Sequence, residues 1–222
     1  MKVKLLDLEK PLKIFKDNEE FRRSSLFLAE VIRVTTDSFV RDDDQSVASK
    51  KLMQYLLAQF TKFGKFLDED VDMLAVFVRN ILELSLWCKY IKSDSNGANV
   101  LLHEYITDIW ELSKVTGANH EPRAKAMVAP FENVDDYFKA IQTIKSLSSR
   151  HTAMTRDDLS EDVTFKYCSK LVHPTSFSLV HLPSSPPEAI EAIRNMLRSL
   201  CWHYTIVAIT NLVDVQIERD PS

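Results

Sequence analysis

Two groups of side chains in this sequence have the types and spacing to do chemistry. The first is Arg79-Asn80-Ile81-Leu82-Glu83. Residues four apart on a helix are neighbours on one face, so a helical reading brings the arginine and the glutamate together. At about 100° per residue, Asp72, Val76, Arg79, Glu83, Leu86 and Tyr90 share that face. Three arrangements fit the pair: a salt bridge facing solvent, a buried pair that fixes helix register, or a polar pocket where arginine meets an anion and glutamate orients it. The second group is Tyr167-Cys168-Ser169-Lys170-Leu171-Val172-His173-Pro174-Thr175. Proline disfavours helical geometry at the residue before it, so a helix here ends at His173. A histidine at that position either caps the last carbonyls or serves as a reachable acid or base. Convergence of the two groups would form one pocket of Arg79, Glu83 and His173, with Tyr167 and Ser169 beside them.

Other chemistries fail on spacing. His103-Glu104-Tyr105-Ile106-Thr107 begins like a zinc-protease helix but has Thr107 where a second imidazole is required. The chain has no Glu-x-x-His, no His-Asp pair, no Cys-x-x-Cys and no Gly-x-Ser-x-Gly, so di-iron, thiolate-zinc and nucleophile-elbow sites lack their residues. Three glycines, Gly64, Gly97 and Gly117, are too scattered for a phosphate-binding loop. The expectation is no metal and no cofactor.

The elements that must position these residues read as helices. The chain has 222 residues and lacks proline from residue 12 to residue 121, which removes the turn chemistry a β-sandwich requires. A first helix spans Glu19 to about Val40, with Phe27, Val31 and Val34 as its stripe and Leu28 and Ile32 beside it. Arg41-Asp42-Asp43-Asp44 closes that helix and opens a second, acid suiting a helix start. The second carries Leu52, Tyr55, Leu56, Gln59, Phe60 and Phe63 and stops near Gly64, read as a left-handed cap. Asp68-Glu69-Asp70 opens a third, through Ile91, that is apolar on nearly every side and therefore buried within a bundle. Helices from Asn99 to Lys114, from Asn133, and from Leu159 to Val172 follow. Ser185-Pro186-Pro187-Glu188 reads as a capping box with proline in the first turn of a last helix reaching about Ile217. The expected fold class is all-α: a single-domain bundle of six or seven helices, with residues 1–18 as a loosely attached N-terminal element. Helix should exceed about 60% of residues.

Charge and cysteine usage set the context. The formal net charge is −4, from 28 Lys+Arg against 32 Asp+Glu, which argues against a dedicated duplex-DNA binder. Cys88, Cys168 and Cys201 stand far apart in apolar stretches, where free cysteine acts as a small hydrophobe. The segment Val71–Ile91 is long enough to cross a bilayer, but Asp72, Arg79, Asn80, Glu83 and Lys89 are costly in lipid. No secretory h-region opens the chain. The expectation is a cytoplasmic protein that does not enter the membrane.

The Arg79-to-Glu83 helix followed by Tyr167, Ser169 and His173-Pro174-Thr175 resembles a family of uncharacterised bacterial all-helical proteins. Its members carry an Arg-x-x-x-Glu helix and a later Ser-x-x-x-His-Pro-(Ser/Thr) segment. The likeness spans roughly residues 70–180 and implies the fold and the candidate site without a reaction. A second resemblance is to HEPN helical bundles of toxin–antitoxin and phage-defence systems, many of them metal-independent ribonucleases with an Arg-(x)4–6-His motif. Arg198-Ser199-Leu200-Cys201-Trp202-His203 matches that motif, implying an arginine that stabilises phosphate and a histidine that moves the proton. Leu200 and Trp202 beside it equally suit a core helix. Three functions follow: a binding or interaction module with a polar pocket, a HEPN-like ribonuclease acting on RNA, or a purely structural helical protein. The partner is an unassigned ligand or protein, or RNA under the second reading, and a homodimer is compatible with all three.

Overall fold

The computed structural model describes residues 13–93, 97–98, 101, 159–173, 175 and 177–213. Of its interpretable part 83% is helical, with no strand, as an all-α single-domain bundle requires. The helix expected from Asn99 to Lys114, apart from residue 101, and the helix expected from Asn133 lie outside the described residues.

Helix α1 runs Asn18–Ser38, α2 Asp44–Lys65, α3 Val71–Ser93, α4 Leu159–Val172 and α5 Pro187–Leu212, with a π-helical turn at Phe177–His181 between α4 and α5. Local chemistry sets the starts. The Asp17 carboxylate accepts from the Glu20 N–H at 2.8 Å, while Glu20 Oε2 accepts from the Lys16 N–H at 2.9 Å. Asp43 caps α2 by accepting from the Ser46 N–H at 2.8 Å. The two aspartates satisfy amides that a helix start leaves open, and Glu20 ties down the residue before the cap.

Helix α3 lies at the centre, packed against α2, α4 and α5. Its buried residues include Leu74, Val78, Ile81, Leu82, Ser85 and Cys88, which point in several directions around the axis. The all-round apolar pattern therefore marks the middle of the bundle. Among the described residues no helix is long and apolar enough to cross a membrane. Cross-helix bonds give the directions. Asn80 Nδ2 donates to Gln59 Oε1 at 3.2 Å and Gln45 Nε2 to the Ile91 carbonyl at 3.4 Å, so α2 and α3 are antiparallel. Arg194 donates to the Leu67 carbonyl at 3.3 Å and Lys92 to the Thr210 carbonyl at 3.5 Å, so α5 runs parallel to α3. Tyr204 donates to Thr164 Oγ1 at 3.2 Å and joins α5 to α4.

Several local expectations change. The buried stripe of α1 is Phe21, Leu28, Val31, Ile32 and Thr36, while Phe27 and Val34 face outward. Both stripes have helical period and share Val31; packing on one side only, chiefly against α2, selects the first. Tyr55 likewise faces outward, leaving Leu52, Leu56, Gln59, Phe60 and Phe63 of the expected α2 stripe inside. Gly64 is an ordinary helical residue rather than a left-handed cap. Helix α2 ends instead where the Phe66 N–H meets the Lys62 and Phe63 carbonyls. The Ser185–Glu188 capping box does not form: Pro186 is the N-cap residue, without a side-chain bond, and Ser185 Oγ donates to the His181 carbonyl at 2.7 Å. Helix α5 stops at Leu212, short of Ile217, with Val213 extended.

The N-terminal element is also more tightly held than expected over its described part. Phe15 is fully buried, its ring 5.0 Å from Phe21 and 5.4 Å from Trp202, centroid to centroid. Phe21 continues the cluster to Phe60 and Phe63. Lys13 lies over Phe15 and Trp202 at 4.6 and 4.7 Å and donates to Ser24 Oγ. A phenylalanine that fills a core position from outside the first helix pins the chain ahead of it. Truncating Phe15 to Ala is expected to cost about 3–5 kcal/mol, the range for a buried aromatic, measured by urea unfolding; a loss under about 1 kcal/mol would return residues 13–18 to a loose appendage.

All three cysteines are free and buried. Burial pushes the Cys168 thiol from its ordinary 9.0 up to about 12, the Arg79 guanidinium drawing it back in part. A thiol whose pKa is raised by folding contributes fully below the unfolded value and loses that contribution as pH rises towards the folded one. Stability is therefore expected to fall between pH 9 and 12. Unfolding curves across that window should fall less steeply for Cys168→Ala than for the parent; identical slopes would mean the thiol titrates normally.

Candidate functional site

The Arg79–Glu83 pair forms as helical spacing dictates, with Nε 3.3 Å from Oε1. The side chains are 30% and 48% exposed, which selects the surface salt bridge over the buried register pair. Helix α4 adds a contact the sequence did not reveal: the Phe165 ring lies under the guanidinium, 4.4 Å from its central carbon. Glu83 also lines a cavity of about 500 Å³ between α2 and α3, together with Lys51, Tyr55, Asn80, Leu84 and Trp87.

His173 follows the last turn of α4. Its N–H donates to the Ser169 carbonyl at 3.0 Å. The carbonyls at this helix end are satisfied by hydroxyls from the following turn. Thr175 Oγ1 donates to the Lys170 carbonyl at 3.0 Å, and Ser178 Oγ to the His173 carbonyl at 2.7 Å. The His173 carbonyl also accepts from the Thr175 N–H at 2.8 Å. Threonine at the end of the Ser-x-x-x-His-Pro-Thr segment is thus a capping residue, and His173 itself is exposed. His173 lines a second cavity, of about 610 Å³, whose other walls include Asp70, Asp72, Ser178, Leu171, Leu182, Ile190 and Arg194.

The two sequence groups therefore open into different cavities. Phe165 meets Arg79, and His173 comes eight residues later, about 12 Å further along the chain at helical rise. It arrives beside Asp70 and Asp72, at the start of α3. Tyr167 is half-buried against the core, its phenol pKa raised by burial, and Ser169 is half-buried beside the chain end of α4. Neither lines the His173 cavity. In place of the expected pocket of Arg79, Glu83 and His173, Glu83, paired with Arg79, lines one opening, and His173 with Arg194 lines another. The reason is the antiparallel packing of α3 and α4, which sequence spacing does not encode.

Arg198 and His203 are also set apart. Five residues along a helix is a rotation of about 140°, so the two side chains leave α5 in different directions. Arg198 is 1% exposed and bonded through Nη1 to Asn18 Oδ1 and through Nη2 to Glu191 Oε1 and Asn195 Oδ1. Its Nε has no partner among the described residues. His203 is half-buried with its ring edge-on to Tyr204 at 5.0 Å. An enclosed arginine already bonded to three side chains holds the fold and has no phosphate-facing edge.

Sequence reasoning missed Glu191, Asn195 and Arg194. Glu191 and Asn195 precede Arg198 by seven and three positions, a same-face spacing that could have pointed to the buried guanidinium. For Arg194 no local signal exists; its place in the His173 cavity comes from the path of α5. Among the described residues no three His, Cys, Asp or Glu side chains gather to hold a metal ion.

The two arginine clusters predict opposite mutational costs. Glu83→Ala removes a half-exposed pair and is expected to cost less than about 1 kcal/mol. Asn18→Ala removes an acceptor from a buried guanidinium and is expected to cost about 1.5–3 kcal/mol. Chemical denaturation of both variants checks the ranking, and equal costs would contradict it.

The chain matches no protein-family model, no curated protein and no solved structure.

Proposed function

We propose that this chain is a binding module whose ligand occupies the cavity around His173, and that the ligand combines an anionic group with an apolar body. One observation carries the reading: an exposed imidazole and the Arg194 guanidinium line the same cavity, over walls of Leu171, Leu182 and Ile190. Pockets for small molecules are largely apolar, with a few polar groups that orient the ligand. Of the cavity's two carboxylates, that of Asp72 has local work. Asp72 Oδ1 accepts from the Met73 N–H at 2.8 Å, and the Asp70 carbonyl accepts from the Met73 and Leu74 N–H groups. Both sit where α3 presents its positive end, which favours acids there. Arg194 spends Nη1 on the Leu67 carbonyl, which orients the guanidinium while leaving its other N–H groups for an anion. Three buried free thiols suit a reducing compartment, and the cytoplasm is the location this reading takes.

The probes are acetate, hexanoate and octanoate, followed by isothermal titration calorimetry. Affinity is expected to rise with chain length, by roughly fifteen-fold from hexanoate to octanoate if two methylenes are buried at about 0.8 kcal/mol each. Arg194→Gln and His173→Gln should each weaken octanoate while circular dichroism stays unchanged. No heat from any of the three acids, or octanoate binding indifferent to both substitutions, would end this reading.

A further inference from the structure

The cavity between α2 and α3 is separate from the His173 cavity and has a different chemistry. Two aromatic side chains, Tyr55 and Trp87, line it with Leu84. Two of its polar groups are held by neighbours. Glu83 is fixed by Arg79 at 3.3 Å, and Asn80 by the buried Gln59 at 3.2 Å. Trp87 stands edge-on to Tyr90, with centroids 6.0 Å apart. Lys51 is exposed at the rim. Tyr55 is 51% exposed, unusual for a tyrosine in the middle of a helix that packs on both sides.

Register places the charges. Counting from the Gln59–Asn80 bond along antiparallel helices, Tyr55 is level with Leu84 and Lys51 with Cys88. Glu83 is then about 7.5 Å along the groove from Lys51, at 1.5 Å per residue. The groove is dipolar: negative at Glu83, positive at Lys51, with aromatic surface between. A simple cation is disfavoured by Lys51 and by the Arg79 charge on Glu83. A simple anion is disfavoured by Glu83. A zwitterion complements both ends. Aromatic surface beside a carboxylate selects a methylated ammonium, which gains from the ring quadrupole and needs no hydrogen-bond acceptor. Lys51, a flexible point charge, suits a phosphate or carboxylate.

We infer that the α2–α3 groove binds a zwitterion of the phosphocholine class, its quaternary ammonium held by Tyr55, Trp87 and Glu83 and its anion by Lys51. The same chemistry occurs in a free solute and in a lipid headgroup. The test uses the full chain with phosphocholine as probe, read by the indole N–H resonance of Trp87, assigned through Trp87→Phe. A saturable shift of that resonance at millimolar phosphocholine is expected, with the Trp202 indole unmoved. Tyr55→Ala and Glu83→Gln should each weaken binding at least several-fold. Lys51→Met should weaken phosphocholine several-fold without weakening choline. Phosphoethanolamine, lacking the methyl groups, should bind more weakly than phosphocholine. Flotation with phosphatidylcholine vesicles but not phosphatidylglycerol vesicles would identify the lipid headgroup as the source, and binding of soluble phosphocholine alone would identify a free solute; both support the site. An unmoved Trp87 resonance, or affinity unaltered in Tyr55→Ala and Glu83→Gln, overturns it. The Arg194 and His173 variants lie in the other cavity and should leave phosphocholine binding unchanged, so failure of one site is distinguishable from failure of the other.

Discussion

The buried guanidinium of Arg198 sets the constraint on which the rest of this bundle depends. A charge taken out of water is costly unless it is paired and hydrogen-bonded, and both Nη groups of Arg198 are so met. Here Glu191 and Asn195 come from its own helix, and Asn18 comes from the start of α1. Asn18 then donates to the Leu67 carbonyl and to Asp68, in the connection between α2 and α3. Asp68 is held by Arg22 as well, and the hydrogen bond from Arg22, followed by that from Asn18, keeps its carboxyl below the ordinary range. One polar network thus joins the first helix, the turn into the central helix and the last helix. A slip of α5 by one residue would swing Arg198 by about 100° and leave the charge without partners.

An aromatic cluster works alongside this network. Phe15, Phe21 and Trp202 meet edge to face, the arrangement favoured by ring quadrupoles, and Phe60 and Phe63 extend the contact into α2. The polar network fixes register, which non-directional apolar contact specifies weakly. The cluster supplies burial. Together they place Leu67 against Arg194 and so carry that arginine to the mouth of the His173 cavity.

The two cavities owe their separation to α3. Its flank towards α2 contributes Asn80, Glu83 and Trp87, and its first turn, with Asp70 just before it, contributes Asp72 to the opening beside α4. Arg79 lies between these regions, committed to Glu83 and to the Phe165 ring. A residue engaged on both sides by its own protein stabilises a helix contact and keeps Glu83 oriented. That is a supporting role, and it leaves ligand contact to Glu83 on one side and to Arg194 and His173 on the other.

The sequence by itself determined the helical class, the burial of α3, the limits of α4 and the acid-capped starts. These follow from local rules: period, capping chemistry and the scarcity of glycine and proline. It also determined that Arg79 and Glu83 pair, because four residues is a distance within one helix. It pointed to the wrong one of two overlapping stripes on α1, since Phe27 and Leu28 both fit the period and only the neighbour decides. Phe15 carried no periodic signal, being outside any helix. The candidate site needed distances between helices. Whether His173 meets Arg79 or Arg194 depends on how α4 and α5 run past α3, and whether Arg198 faces RNA or the core depends on Asn18, 180 residues away. Side-chain spacing is written in the sequence only within an element; between elements it is set by packing, and packing put each of these residues where it is.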